Sequence, residues 1–287
     1  MRDIYRDDGG QKQIRAWCSA RLAAWEREHE TRVVETELGV THVVTVGEGR
    51  PLILVPGTNF AAATWLPLID ELAATYRVHA VDLPGQPGLS DPGRQKHAGG
   101  DFGRWLVAVS EAVGAVHPTV VGHSLGGLVA MHAAVGGAPV SRLVLLDPAG
   151  LRRLSVTPKV LAATLPWLLR SDARSAAGLL RMMMAPGGEP DDELVEWMAL
   201  VGRHVRSSMA PPALDDAALA RLEGVGIDIL CGEHDVFLPP EKLRRAVSQR
   251  LPNAAFGVVR SAGHMMPHER PGPLVDLLSR PTAADPS

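Results

Sequence analysis

Cysteine is almost absent: Cys18 and Cys231 are the only two in 287 residues, one in a charged N-terminal segment and the other inside an apolar run. That spacing supports neither a disulfide scaffold nor a cysteine zinc site. An excess of charge is missing too, because 29 Lys+Arg against 32 Asp+Glu leave a net −3. Without a basic field there is little to hold nucleic acid by counterion release, so nucleic acid is not expected as a partner. No stretch approaches 18 uninterrupted apolar residues, and the opening MRDIYRDDGG has no apolar signal region. The expectation is a soluble, cytoplasmic protein with no membrane partner. Internal repeats and low-complexity tracts are lacking, apart from a polar tail at 281–287 that is expected to be disordered.

What is present is a globular composition, 46% hydrophobic and 21% charged, in a chain long enough to bury a large core. Residues 11–30 carry Ile14, Trp17, Leu22 and Trp25 at mostly three- and four-residue steps, which predicts an amphipathic helix lying on the main body. Two short β-branched runs, 31–37 and 41–46, read as a hairpin. From residue 51 apolar runs recur: Leu52–Val55, Val78–Val81, Thr119–Val121, Leu143–Leu146, Ile227–Cys231 and Phe256–Val259. Runs apolar on both faces belong to parallel strands covered by helices on each side. Helix-period segments at 61–76, 101–115, 124–136, 239–250 and 272–279 separate most of them, so the fold class is α/β with crossover connections.

One interval breaks the alternation. Between Pro148 and Gly224 there are helical patterns at about 158–170, 172–184, 191–208 and 214–222, punctuated by Pro166, Pro186-Gly187-Gly188, Pro190 and Pro211-Pro212, and no convincing strand. The expected organisation is an N-terminal helical segment (1–30), an α/β core (31–148 and 225–280), a helical insertion (149–224) and the tail.

The most informative segment is Thr119-Val120-Val121-Gly122-His123-Ser124-Leu125-Gly126-Gly127. A buried strand runs into Gly-x-Ser-x-Gly and an apolar helix follows, which is the context that lifts a serine hydroxyl out of a sheet on a sharp turn. A phosphate loop would need Gly-Lys-Ser/Thr here, and none is present. A serine becomes a nucleophile only when a base takes its proton and a third group orients the base. His264 lies just after the last strand run, on the carboxyl edge of the sheet where the serine turn also emerges. His268 follows four residues later, but Pro267 interrupts a regular helix through both, and no HExxH pattern exists, so no metal is expected. The other histidines, His29, His42, His79, His97, His117, His132 and His204, lack comparable context and read as surface or packing residues. Asp235 and Asp147 each follow an apolar strand and are the two candidate acids.

With Gly57, the Asp82-Leu83-Pro84-Gly85-Gln86-Pro87-Gly88-Leu89-Ser90 loop, the Ser124 turn, Gly232-Glu233-His234-Asp235 and Gly263-His264, the chain resembles the α/β-hydrolase family from about residue 31 to 280, in particular its esterase-like, cofactor-independent members with a helical cap over the core. The resemblance implies a Ser124 nucleophile, a His264 base and an acid in the order Ser, acid, His, with Asp235 matching the usual acid loop better than Asp147. It implies oxyanion donors at the backbone N–H groups of Leu125 and Thr58, although Pro56 stands where the family often has His. Asn59, Phe60, His123 and Met265 are candidate substrate contacts, with His123 pointing to the wall or cap rather than to the nucleophile. The implied activity is hydrolysis of an ester-like bond in a small substrate, through an acyl-enzyme and without a cofactor. A cap rich in Leu and Met leans toward an apolar acyl group. Thioester, lactone or carbon–carbon bond hydrolysis, acyl transfer, and ligand binding without catalysis remain open on the same constellation. A dinucleotide cradle at Gly85-Gln86-Pro87-Gly88 is disfavoured by its proline and by the lack of a helix directly after it.

Overall fold

The computed structural model describes residues 3–95, 101–206 and 212–280. The tail at 281–287 and His97 lie outside the described residues.

The chain opens with helix α1 (Asp8–Ala24) and the hairpin β1 (Glu30–Val34) and β2 (Thr41–Val46). There follow β3 (Arg50–Val55), a single 3-10 turn at Ala62–Thr64, α2 (Leu66–Leu72), β4 (Tyr76–Val81), α3 (Asp101–Val113), β5 (Thr119–His123), α4 (Leu125–Val135) and β6 (Arg142–Leu146). Four helices come next: α5 (Pro158–Arg170), α6 (Ala173–Met183), α7 (Asp192–His204) and α8 (Asp216–Ala220). The chain then completes the core with β7 (Ile227–Gly232), α9 (Pro240–Arg250), β8 (Ala255–Val259), α10 (Met266–Glu269) and α11 (Gly272–Leu278).

The eight strands form one sheet in the order β1-β2-β4-β3-β5-β6-β7-β8. The β1–β2 and β2–β4 pairs are antiparallel and the remaining pairs parallel. Side chains alternate across a strand, and here both sets are buried. Leu52 and Leu54 of β3 enter the cluster shared with α1, α2, α6 and α7, whereas Ile53 and Val55 enter the one shared with α3, α4 and α9. The two-faced apolar runs are therefore the direct cause of a sheet covered on both sides.

The elements differ from sequence expectation mainly at their ends. Helix α1 starts at Asp8 rather than near residue 11, because the Asp7 carboxylate accepts the Gly10 N–H at 2.7 Å and caps it. The segment 61–76 is a 3-10 turn followed by a short helix, with Pro67 in the first turn of α2. Helix α7 stops at His204 instead of 208, since Val205 turns extended and bridges Tyr5. Pro166 does not break α5; the carbonyl it cannot bond, that of Ala162, belongs to an exposed residue.

Helix α1 lies on α7 as well as on the core. Trp17 and Trp197 approach to 4.8 Å between ring centroids, and Trp17 Nε1–H donates to Glu196. At the opposite end of the sheet, β7 must pass close to the loop after β8. A Cβ added at Gly232 would sit 2.1 Å from the Gly263 carbonyl oxygen and 2.9 Å from that of Ala262, both backbone atoms. Gly232→Ala is expected to destabilise the fold by about 1–3 kcal/mol through this overpacking. The measurement is a urea titration, in which the midpoint falls at unchanged slope.

Candidate active site

The strand–turn–helix around Ser124 is steep. Ser124 has φ 50° and ψ −111°, a conformation that costs a non-glycine residue of order 1–3 kcal/mol and survives only where the surroundings fix it. Here Ser124 N–H donates to Leu146 O at 2.9 Å, while its carbonyl accepts from Gly127, Leu128 and Ala149. The flanking glycines allow the approach: a Cβ at Gly122 would lie 2.4 Å from Gly126 O, and one at Gly126 would lie 2.1 Å from Val55 O.

Three side chains distant in sequence meet above this turn. His264 Nε2 is 3.1 Å from Ser124 Oγ, and His264 Nδ1 is 2.8 Å from Asp235 Oδ2. A carboxylate facing Nδ1 places the proton there and leaves Nε2 as acceptor for the serine hydroxyl. Asp235 sits on the turn after β7, and its Oδ1 accepts the N–H groups of Phe237 at 2.7 Å and Leu238 at 2.9 Å. Burial by itself would raise its pKa, but the facing His264 and these hydrogen bonds outweigh it, and Asp235 is held below the ordinary carboxylate range. The edge of the Phe237 ring covers the imidazole at 4.9 Å.

The His264 loop is fastened from several sides. His123 Nε2–H donates to the His264 carbonyl at 2.8 Å. Burial, reinforced by the neighbouring His264, pushes the His123 imidazole well below its usual range, so it stays neutral and keeps this role as donor. Glu269 accepts Gly263 N–H on one oxygen at 2.8 Å and Ala185 N–H on the other at 2.7 Å, joining the loop to the segment after α6. Met265 N–H donates to Met183 O at 3.3 Å.

The loop after β3 approaches the serine from the opposite side. A Cβ at Gly57 would be 2.7 Å from His123 Nδ1 and 3.3 Å from Ser124 Cβ. Asn59 N–H donates to Gln86 Oε1 at 2.9 Å, and the Asn59 carbonyl accepts Trp197 Nε1–H at 2.7 Å. Among the described residues no acceptor takes the N–H of Thr58 or that of Leu125, the first residue of α4.

Of the residues expected to touch substrate, Asn59 is half-buried beside this loop. Phe60, His123 and Met265 instead form the packing around the site, with 2%, 1% and 0% of their surface accessible. The reason is visible in each case. Phe60 packs against the His268 ring at 5.8 Å, His123 lies between Trp65 and His264, and Met265 belongs to the core shared with α6 and α7. Sequence reasoning missed Glu269, Gln86 and Trp197. Each bonds the backbone of a residue at least 27 positions away, Glu269 that of Ala185 in addition to the nearby Gly263, and no local pattern signals such a contact.

Asp147, the alternative acid, is also near. An oxygen of Asp147 lies within 4.8 Å of ring nitrogens of His123 and His264, and within 4.8 Å of Cys231 Sγ and an Asp235 oxygen. These groups have the donor types of a metal site. The ring nitrogens of His264 and Nε2 of His123 are already committed to protein partners, which makes the set a hydrogen-bonded carboxyl–imidazole cluster.

The fold has counterparts among known proteins. The chain matches the model of the Alpha/beta hydrolase family over residues 52–277. It is 27% identical to the carboxylesterase YbfK of Bacillus subtilis over 267 residues, which is 87% of this chain and 86% of that protein. The crystal structure of naproxen esterase from Bacillus subtilis superposes with a TM-score of 0.80 at 24% identity, covering 95% of this chain and 97% of that one. A second Bacillus subtilis structure, of a putative hydrolase, gives 0.81 at 24% identity over 95% and 98% of the two chains. With the family pattern extending over most of its length, the chain is a hydrolase and belongs to the alpha/beta hydrolase family.

Proposed function

We propose that this hydrolase cleaves carboxylic esters of small molecules, with Ser124 as nucleophile, His264 as general base and acid, and Asp235 as the carboxylate that orients His264. The observation that carries the reading is the unbroken relay Ser124 Oγ–His264 Nε2 at 3.1 Å and His264 Nδ1–Asp235 Oδ2 at 2.8 Å. The likeness to a carboxylesterase over 87% of the chain supports the ester class.

Chemically, Ser124 Oγ attacks the ester carbonyl as its proton passes to His264 Nε2, and the carbonyl electron pair moves onto oxygen. The Leu125 and Thr58 N–H groups are the proposed donors to that oxyanion, both without an acceptor among the described residues. Collapse of the tetrahedral intermediate breaks the bond to the alkoxy group, which leaves as the alcohol with the proton from His264. Water then repeats the sequence on the acyl-enzyme, releasing the acid and restoring Ser124. Asp235 stays ionised throughout and stabilises the transient imidazolium.

The preference for an apolar acyl group rests on the apolar wall beside the base, including Phe237 against the imidazole. The Leu and Met residues of the insertion contribute less to it than their number suggests, because Leu180, Met182, Met183 and Met198 are consumed in helix packing.

Ser124→Ala is expected to lower turnover of p-nitrophenyl esters by roughly 10⁴-fold or more with the fold intact. Thioesters, lactones and diketones run in the same panel set the reaction class, and undiminished ester cleavage by the variant would overturn the nucleophile. Glu269→Ala frees the Gly263 N–H and lets the imidazole drift. A fall of about 10–100-fold in kcat, with KM nearly constant, is expected in steady-state assays.

A further inference from the structure

Asp147 is a buried acid that the proposed chemistry does not use. It ends β6 with φ 44°, a left-handed conformation unusual for a residue with a side chain, and is fixed there by its N–H donating to Leu230 O at 2.8 Å. Its side chain has no access to solvent. Four titratable groups face it: Asp235, Cys231, His264 and His123. Burial pushes the His123 imidazole well down and the Cys231 thiol up, and His264 turns Nδ1 to Asp235 and Nε2 to Ser124.

Two carboxyl groups thus share one buried space without a fixed cation. Like charges so placed cannot both ionise at neutral pH, so one proton must stay. The hydrogen bonds decide where. Asp235 accepts from three donors, the N–H groups of Phe237 and Leu238 and Nδ1–H of His264. Asp147 accepts one backbone N–H, that of Gly232 at 2.8 Å on Oδ1, with the Cys231 thiol beside it, and its Oδ2 meets no donor. The Asp147 carboxyl lies beside that of Asp235 and has in Oδ2 an oxygen without a donor, which is where a retained proton fits.

We propose that Asp147 is a positioning residue for the triad, protonated on Oδ2 and donating that hydrogen to the Asp235 carboxylate. This rests on the reading of Asp235 as the triad acid. Burial, together with the facing Asp235 charge, raises the Asp147 carboxyl well above its ordinary range, in the same direction. The pair then holds one negative charge, on the oxygens nearest the imidazole. The bond from Asp147 steadies Asp235 without adding a second charge that would overstabilise the imidazolium.

Asn can imitate a protonated acid, accepting Gly232 N–H on its oxygen and donating to Asp235 from its nitrogen. Asp147→Asn should therefore keep kcat within about threefold and leave the acidic limb of the kcat/KM profile in place, whereas Asp147→Ala should lose about tenfold in kcat at unchanged KM. Were Asp147 ionised in the native enzyme, Asp147→Asn would delete a negative charge near the imidazole. The acidic limb would then move to lower pH by about 1–3 units.

A second measurement needs no turnover. A carboxyl whose folded value is raised binds on folding a proton that the unfolded chain has released. Its contribution to stability is complete below the unfolded value and is lost as pH rises toward the folded one. Relative to Asp147→Asn, the folding constant of the wild type should fall with rising pH, about tenfold per pH unit once pH exceeds the ordinary carboxylate range, read from urea unfolding. A difference that does not vary with pH, or a downward shift of the acidic limb in Asp147→Asn, overturns the proposal. Failure of the triad reading would show separately, as ester cleavage that survives Ser124→Ala.

Discussion

The contact between Asp235 and His264 is the constraint around which much of this end of the molecule is arranged. A carboxylate with almost no access to water is tolerable only when its lone pairs are filled, and here two backbone N–H groups and one imidazole N–H fill them. Those donors reach it because the ends of β7 and β8 are laced together. Glu233 N–H bonds Val259 O, and His234 N–H bonds Ala262 O, each at 2.9 Å. The lacing in turn requires that Gly232 present no side chain to the Gly263 carbonyl. Gly232 therefore sets how near the His264 ring can come to Asp235.

The serine side obeys the same logic with a different resource. Its left-handed backbone is unfavourable by itself, and four backbone hydrogen bonds to and from Ser124 hold it in place. The turn aims the hydroxyl at the imidazole and leaves the first N–H of α4 without an acceptor. That unfilled donor, adjacent to the proposed nucleophile, is where an oxyanion would find both a hydrogen bond and the positive end of a helix.

The sheet was legible in the sequence because its strands are apolar on both faces, a pattern that few other environments produce. Helix ends were less so. The end of α7 is decided by a tertiary neighbour, Val205 pairing with Tyr5, whereas the start of α1 is set locally by the Asp7 cap. In the site, Ser124 and His264 stood out because each occupies a recognisable turn at the carboxyl edge. Asp235 and Asp147 could not be separated by the residues alone, since β6 and β7 are adjacent parallel strands whose ends open on the same space. Only the count of donors around each carboxyl distinguishes them. Phe60, His123 and Met265 misled for a related reason: nearness to the site in sequence says nothing about which face of the chain meets solvent.

The insertion takes part in holding the site. The base loop is bonded to it through Glu269, which spans Gly263 and Ala185, and through Met265 N–H to Met183 O. The loop after β3 is bonded to it through the Asn59 carbonyl and Trp197 of α7. Trp197 also stacks on Trp17 of α1, so the N-terminal helix braces the same point. The proposed base and the proposed oxyanion loop thus lean on one set of helices from opposite sides. On the proposed reading, any displacement of α6 and α7 would disturb proton transfer and oxyanion binding together, which makes the alignment of these helices a condition for that chemistry.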